Sequence, residues 1–121
     1  MLTPTEFIIK IDQYSPELHS LYSQTGARSA LFITAWNPYS QPLSDNENEI
    51  RQQYLIKSIA AAGYEYHPGE GKHPDNNWPA EKSIFILGSS KEDSVELGKK
   101  YGQNAVVWAG STAVPQLLIT L

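Results

Sequence analysis

The sequence predicts an α/β (α+β-like) single domain, residues 1–121, with a mixed five- or six-stranded sheet and three covering helices. Three observations carry this. Short apolar runs rich in β-branched residues alternate with segments of helical spacing. Each helical segment has its own start and stop residues. The 121 residues are 40% hydrophobic and 18% charged, a balance that lets one ordinary-sized chain bury a core.

Phe7-Ile8-Ile9-Lys10-Ile11 reads as a first strand. Ser15-Pro16-Glu17 then reads as a helix start, because serine caps, proline fits the first turn and glutamate suits the positive end of the dipole. That helix covers about 16–25 and stops at Gly26, with Leu18, Leu21 and Tyr22 on one face. A second strand at about 29–36 holds Ala30-Leu31-Phe32-Ile33, an unbroken apolar run expected to be buried on both faces. Pro38 and Pro42 make the loop from Asn37 to Leu43 stiff. Ser44-Asp45-Asn46-Glu47 matches a capping box, so a helix follows to about Ala62, before Gly63. At ~100° per residue its core side takes Leu55, Ile59 and Ala62, with Asn48 and Arg51 in the same arc nearer the start.

Tyr64 to His67 reads as a short strand, and 68–80, with three prolines and two glycines, as a long loop. Ser83 to Leu87 is a buried strand. Gly88-Ser89-Ser90 leads into a helix of about 91–101 with capping-box spacings at Ser89/Glu92 and Ser90/Asp93. Strands follow at 105–108 and 116–119. Two strand–helix–strand units are expected to form right-handed parallel crossovers, and the long loop to join an antiparallel pair.

Composition removes several functions. There is no cysteine, hence no disulfide, thiolate metal site or cysteine nucleophile. The formal charge of −4 comes from 13 acidic and 9 basic residues and argues against duplex nucleic acid as a partner. No signal peptide or membrane-spanning run is read, so a cytoplasmic chain with no membrane partner is expected.

The chemistry-bearing residues concentrate around Asn37, Ser40, Glu47, Asn48 and Arg51. A guanidinium on the core side of a helix must be paired or face a pocket. The expected partner is Glu47 or Glu81, beside Asn37 and Gln103; a plain Arg51–Glu47 pair at i, i+4 spacing is the structural alternative. His67, Glu70, His73 and Asp75 fit no zinc spacing, so no metal and no cofactor are expected. Gly88-Ser89-Ser90-Lys91 offers backbone N–H groups to an anion but lacks a full phosphate-loop pattern, and serine capping explains it.

TAWNPYSQPLSDNEN with Arg51, the GEG…WPAEKS segment and YGQNAVVW occur in that order and resemble the family called domain of unknown function 3293, over roughly 27–114. The resemblance implies a small stand-alone bacterial protein and brings no reaction or ligand with it. It marks Asn37, Pro38, Ser40, Glu47, Asn48, Arg51, Trp78, Glu81, Gly102, Gln103 and Asn104 as the family's motif positions. The reading of function is therefore a module binding a small polar or anionic ligand through Asn37, Ser40, Glu47, Asn48, Arg51, Trp78, Glu81, Gln103 and Asn104. Two alternatives stay open: an enzyme with Glu81 or Glu47 as base and Arg51 as stabiliser, and a domain with a protein partner, of inhibitor or immunity type, using aromatics such as Tyr39.

Overall fold

The computed structural model describes residues 8–71 and 81–120. Along them run α1 (Pro16–Thr25), β1 (Ala30–Ile33), a single turn at Pro38–Ser40, α2 (Asp45–Ala61), β2 (Glu65–Gly71), β3 (Glu81–Leu87), α3 (Lys91–Lys100), β4 (Ala105–Ala109) and β5 (Gln116–Ile119). The fold is α+β, with the three helices where the sequence sets them. Ser15 caps α1 by accepting from Leu18 N–H, and Gly26 closes it in the left-handed conformation. Ser44 and Glu47 form the full capping box at the start of α2. Ser90 caps α3, while the buried Ser89 hydroxyl meets Ser94 Oγ at 3.0 Å.

The five strands lie in the order β2-β3-β1-β4-β5, and every ladder is antiparallel. This corrects the expected mixed sheet with parallel crossovers. The ladder directions show why. β1 and β2 point the same way across α2, but β3 lies between them; β3 and β4 point the same way across α3, but β1 lies between them. Each crossover is split by one reversed strand, a choice that local sequence does not encode.

Two further expectations change. No strand forms over residues 8–11: Asp12 sits in a left-handed turn at φ 67° and donates to the Pro115 carbonyl, and Ile8 is 81% exposed. Their β propensity finds no sheet face to pack on. The other expected loop, 68–80, begins as strand instead, since β2 continues through Pro68 and Gly69 to Gly71. Proline is tolerated because β2 is an edge. A Cβ at Gly69 would stand 2.9 Å from the Phe32 ring.

Alternation along the strands gives the sheet two apolar faces. Leu31, Ile33, Ile84, Ile86, Val106 and Leu118 pack under α2 and α3 with Leu55, Ile59 and Tyr101. Ala30, Phe85, Leu87 and Ala109 pack under α1 with Leu18, Leu21 and Tyr22. The α1 face is the less covered: Leu117 and Ile119 of β5 are 50% and 63% exposed.

Candidate functional site

Where β1 ends, the chain turns sharply, and several of the polar residues singled out in the sequence meet at that turn. Asn37 takes a left-handed conformation (φ 45°) and Tyr39 another (φ 55°). Asparagine adopts it at little cost, whereas for a bulky aromatic residue it is strained. The turn is clamped from two sides.

The first clamp comes from α2. Asn37 N–H donates to Asn48 Oδ1 at 2.8 Å, and Asn48 Nδ2 donates back to Asn37 Oδ1 at 2.7 Å. The same Asn37 oxygen accepts Leu43 N–H at 3.0 Å, and Asn48 Nδ2 also reaches the Leu43 carbonyl. Both ends of the 37–43 loop are thereby tied to one buried amide. Asn37 Nδ2 points the other way and donates to Glu81 Oε2 at 3.2 Å, at the first residue of β3.

The second clamp joins α2 to the end of α3. Arg51 Nε donates to the Ala35 carbonyl at 2.9 Å and its Nη2 to the Tyr101 carbonyl at 2.6 Å. Gln103 Nε2 bridges the same Tyr101 carbonyl and that of Trp36, both at 3.3 Å. Tyr39 N–H donates to the Gly102 carbonyl, and the Tyr39 ring lies over Gly102. Glycine is required at 102: φ is +69°, and a Cβ would stand 2.8 Å from Pro38 Cβ.

The family profile described as Protein of unknown function (DUF3293) matches residues 33–106, more than half of the chain. The chain belongs to the DUF3293 family. The matched DUF3293 stretch runs from the last residue of β1 into β4, so it contains both clamps. No match is found among curated proteins or solved structures.

Within this DUF3293 chain the structure thus brings together Asn37, Asn48, Arg51, Glu81 and Gln103. The expected Arg51–carboxylate contact does not form: among the described residues no carboxylate stands within salt-bridge distance of Arg51. Carbonyls at strand and helix ends take its donors instead, which a planar fork satisfies as well as a carboxylate would. Glu47 sits apart and exposed, its Oε1 accepting from the Ser44 hydroxyl at 2.9 Å in the cap. The Asn104 carbonyl accepts Thr120 N–H. Trp78, with His73 and Asp75, lies outside the described residues, as do the side chains of Ser40 and Glu70. His67 meets Glu65 at 3.0 Å, and the described residues hold no group of three or more metal-capable side chains.

Gln52 escaped sequence reasoning. It is 3% exposed and accepts Ala35 N–H at 2.9 Å and the Thr34 hydroxyl at 3.4 Å. The signal was present, because 48, 52, 55 and 59 follow the i, i+4, i+7, i+11 spacing of one helix face. Ala62, placed on that face in the sequence, is exposed at the cap. A shallow depression of about 260 Å³ lies elsewhere on α2, lined by Glu49, Ile50, Gln53, Tyr54 and neighbours, and shares no residue with the clamps. No helix of the described residues is long and apolar enough to cross a membrane.

Proposed function

We propose that the chain is a binding domain that presents the Trp36–Ser40 turn as a fixed recognition element for another protein. The observation that supports this is Tyr39. A non-glycine residue in the left-handed region costs about 1–3 kcal/mol and persists only where its surroundings impose it. Here Asn48 and Gln103 hold the residues just before Tyr39 and the Gly102 carbonyl takes its N–H, yet the ring so positioned is 58% exposed. The strain is not repaid by burying the ring. A rigid, exposed tyrosine on an over-determined turn loses little entropy on contact and suits the centre of a protein interface.

The experiment compares capture by immobilised wild type, Tyr39→Gly and Tyr54→Ala from a lysate of the host cell, with quantified eluates. Partners held by wild type and Tyr54→Ala but lost with Tyr39→Gly support the reading. Equal profiles for all three sink it. A bacterial, cytoplasmic setting belongs to this proposal, the family resemblance supporting its bacterial part.

A second reading is a small polar or anionic ligand at the Asn37–Glu81 corner. In its favour, the Glu81 carboxylate is half-buried beside an amide at the mouth of a strand. Against the wider site once expected, Arg51 and Gln103 give their donors to backbone carbonyls. A thermal-shift screen of nucleotides, sugar phosphates and carboxylic acids decides it: a shift abolished by Glu81→Gln moves the function to this corner.

A further inference from the structure

The two edges of the sheet are built differently. β2 carries Glu65, His67, Pro68 and Glu70, the charges and proline that keep an edge strand from pairing with another chain. β5 carries none of these. From Gly110 to Thr120 the sequence has no charged residue, although the whole chain bears −4. Among the described residues β5 is the last strand of the sheet, with Leu117 and Ile119 exposed beside each other on the α1 face.

The free backbone groups on this edge can be assigned. Thr120 N–H donates to the Asn104 carbonyl, which continues the register that pairs Leu118 with Val106 and Gln116 with Trp108. Even-numbered residues of β5 therefore turn their N–H and C=O groups inward to β4, and Leu117 and Ile119 turn theirs outward. The Pro115 carbonyl obeys the same alternation and is taken from outside by Asp12 N–H at 2.7 Å. Among the described residues, what stays open is the pair of residues 117 and 119.

We propose that β5 pairs antiparallel with β5 of a second copy, about a twofold axis at Leu118, giving one continuous sheet through both copies. In that register Leu117 stands opposite the partner's Ile119, and Ile119 opposite the partner's Leu117. All outward N–H and C=O groups of both residues are then satisfied, because these positions form the hydrogen-bonded pairs of the new ladder. The apolar side chains meet in the same pairs, extending the strip on the α1 face. Charge selects this edge: two copies of an acidic chain meet here with no like charges opposed along residues 116–120, whereas β2 would bring the exposed Glu65 of each copy to the interface. Leu117 and Ile119 lie outside the Trp36–Ser40 turn, so the pairing stands or falls separately from recognition through Tyr39.

The test is sedimentation velocity on the full chain over a range of concentrations, with Leu117→Lys/Ile119→Lys as the disrupting variant and Tyr39→Gly as the control. Wild type and control should approach twice the chain mass, and the double variant should weaken self-association by more than about tenfold. Cross-linking supplies a readout that does not depend on the lysine variant folding. The chain has no native cysteine, so Leu117→Cys and Ile119→Cys chains can be mixed and oxidised. Opposed Cα atoms at about 5.5 Å admit a disulfide and the like-to-like diagonal at about 7–8 Å does not, so the mixed dimer should exceed either homodimer. A monomer at every concentration, a dimer untouched by the lysines, or homodimeric disulfides in excess would each overturn the proposal.

Discussion

Asn37 and Asn48 hold each other reciprocally: the backbone N–H of Asn37 donates to Asn48 Oδ1, and Asn48 Nδ2 donates to Asn37 Oδ1 at 2.7 Å. The Asn48 amide accepts on one side and donates on the other, and Asn48 is 1% exposed. Asn48→Asp keeps the shape and loses the donor, setting a buried carboxylate against the Asn37 oxygen. The expected loss is about 2–4 kcal/mol at neutral pH by urea unfolding. Protonation restores a donor, so the deficit should narrow as pH falls from neutral towards about 4, the ordinary carboxylate range that the unfolded chain keeps. An unchanged midpoint at neutral pH would show the pair to be dispensable.

Arg51 bridges the Ala35 and Tyr101 carbonyls with two nitrogens of one planar group. Lysine brings a point charge that cannot span both. Arg51→Lys should therefore lose about 1–3 kcal/mol in chemical denaturation, through carbonyls left unpaired in a half-buried place. A ligand-serving arginine would behave differently, with lysine leaving the melt nearly unchanged. The two outcomes separate support from recognition.

The sequence made the local devices readable because each rests on a few neighbouring residues. Ser15-Pro16, the Ser44–Glu47 box and Ser90 start the helices where capping chemistry says they should. Of the residues it singled out, Asn37, Asn48 and Glu81 share one hydrogen-bonded set, and Arg51 and Gln103 meet at the Tyr101 carbonyl. It did not reveal what Arg51 touches, since a guanidinium is satisfied equally by carboxylates and by carbonyls at element ends, and the latter exist only once α3 has folded against α2. Strand order was hidden for a related reason. Nothing in β1 or β2 states that β3 will lie between them; that follows from long-range pairing of Ile33 with Ile84 and of Pro68 with the same residue.

Burial pushes the Tyr22 hydroxyl up from 10.0 to about 12, and the hydroxyl donates to the Ala109 carbonyl at 3.2 Å. Folding thus favours its neutral form. The contribution is fully present below pH 10 and is lost as pH rises from 10 towards 12, where the unfolded chain releases a proton that the folded chain retains. Tyr64, raised by burial and by Asp93 beside it, acts in the same direction. Tyr22→Phe should lower stability by about 0.5–1.5 kcal/mol at neutral pH and flatten the alkaline decline relative to wild type. Identical alkaline slopes for the two proteins would remove Tyr22 from the account.

Gly98 lies inside α3, where alanine would ordinarily gain about 0.5–1 kcal/mol. At this position a Cβ would meet Thr120 Cγ2 at 2.7 Å and Val106 Cγ1 at 2.9 Å. Both neighbours are buried and hold β4 and β5 against the helix. Gly98→Ala should lower stability by about 1–3 kcal/mol despite its better helix propensity. A more stable variant would mean that α3 can lift off the sheet at little cost.

The strain at Tyr39 can be measured by ignoring side-chain size. Valine is closer to tyrosine in bulk than glycine is, yet a β-branched residue is the least suited to φ 55° and glycine the most. If packing of the ring over Gly102 dominated, removing all side-chain atoms would be the worse change. If backbone strain dominates, the order reverses: Tyr39→Gly should stay within about 1 kcal/mol of wild type, because relief of strain offsets the lost contact and the added chain entropy, while Tyr39→Val should fall about 1–2 kcal/mol below it. Equilibrium urea unfolding of the three proteins gives the order directly. Valine above glycine would show the ring to be held by packing, and the turn would then lose its claim to be a strained element kept for recognition.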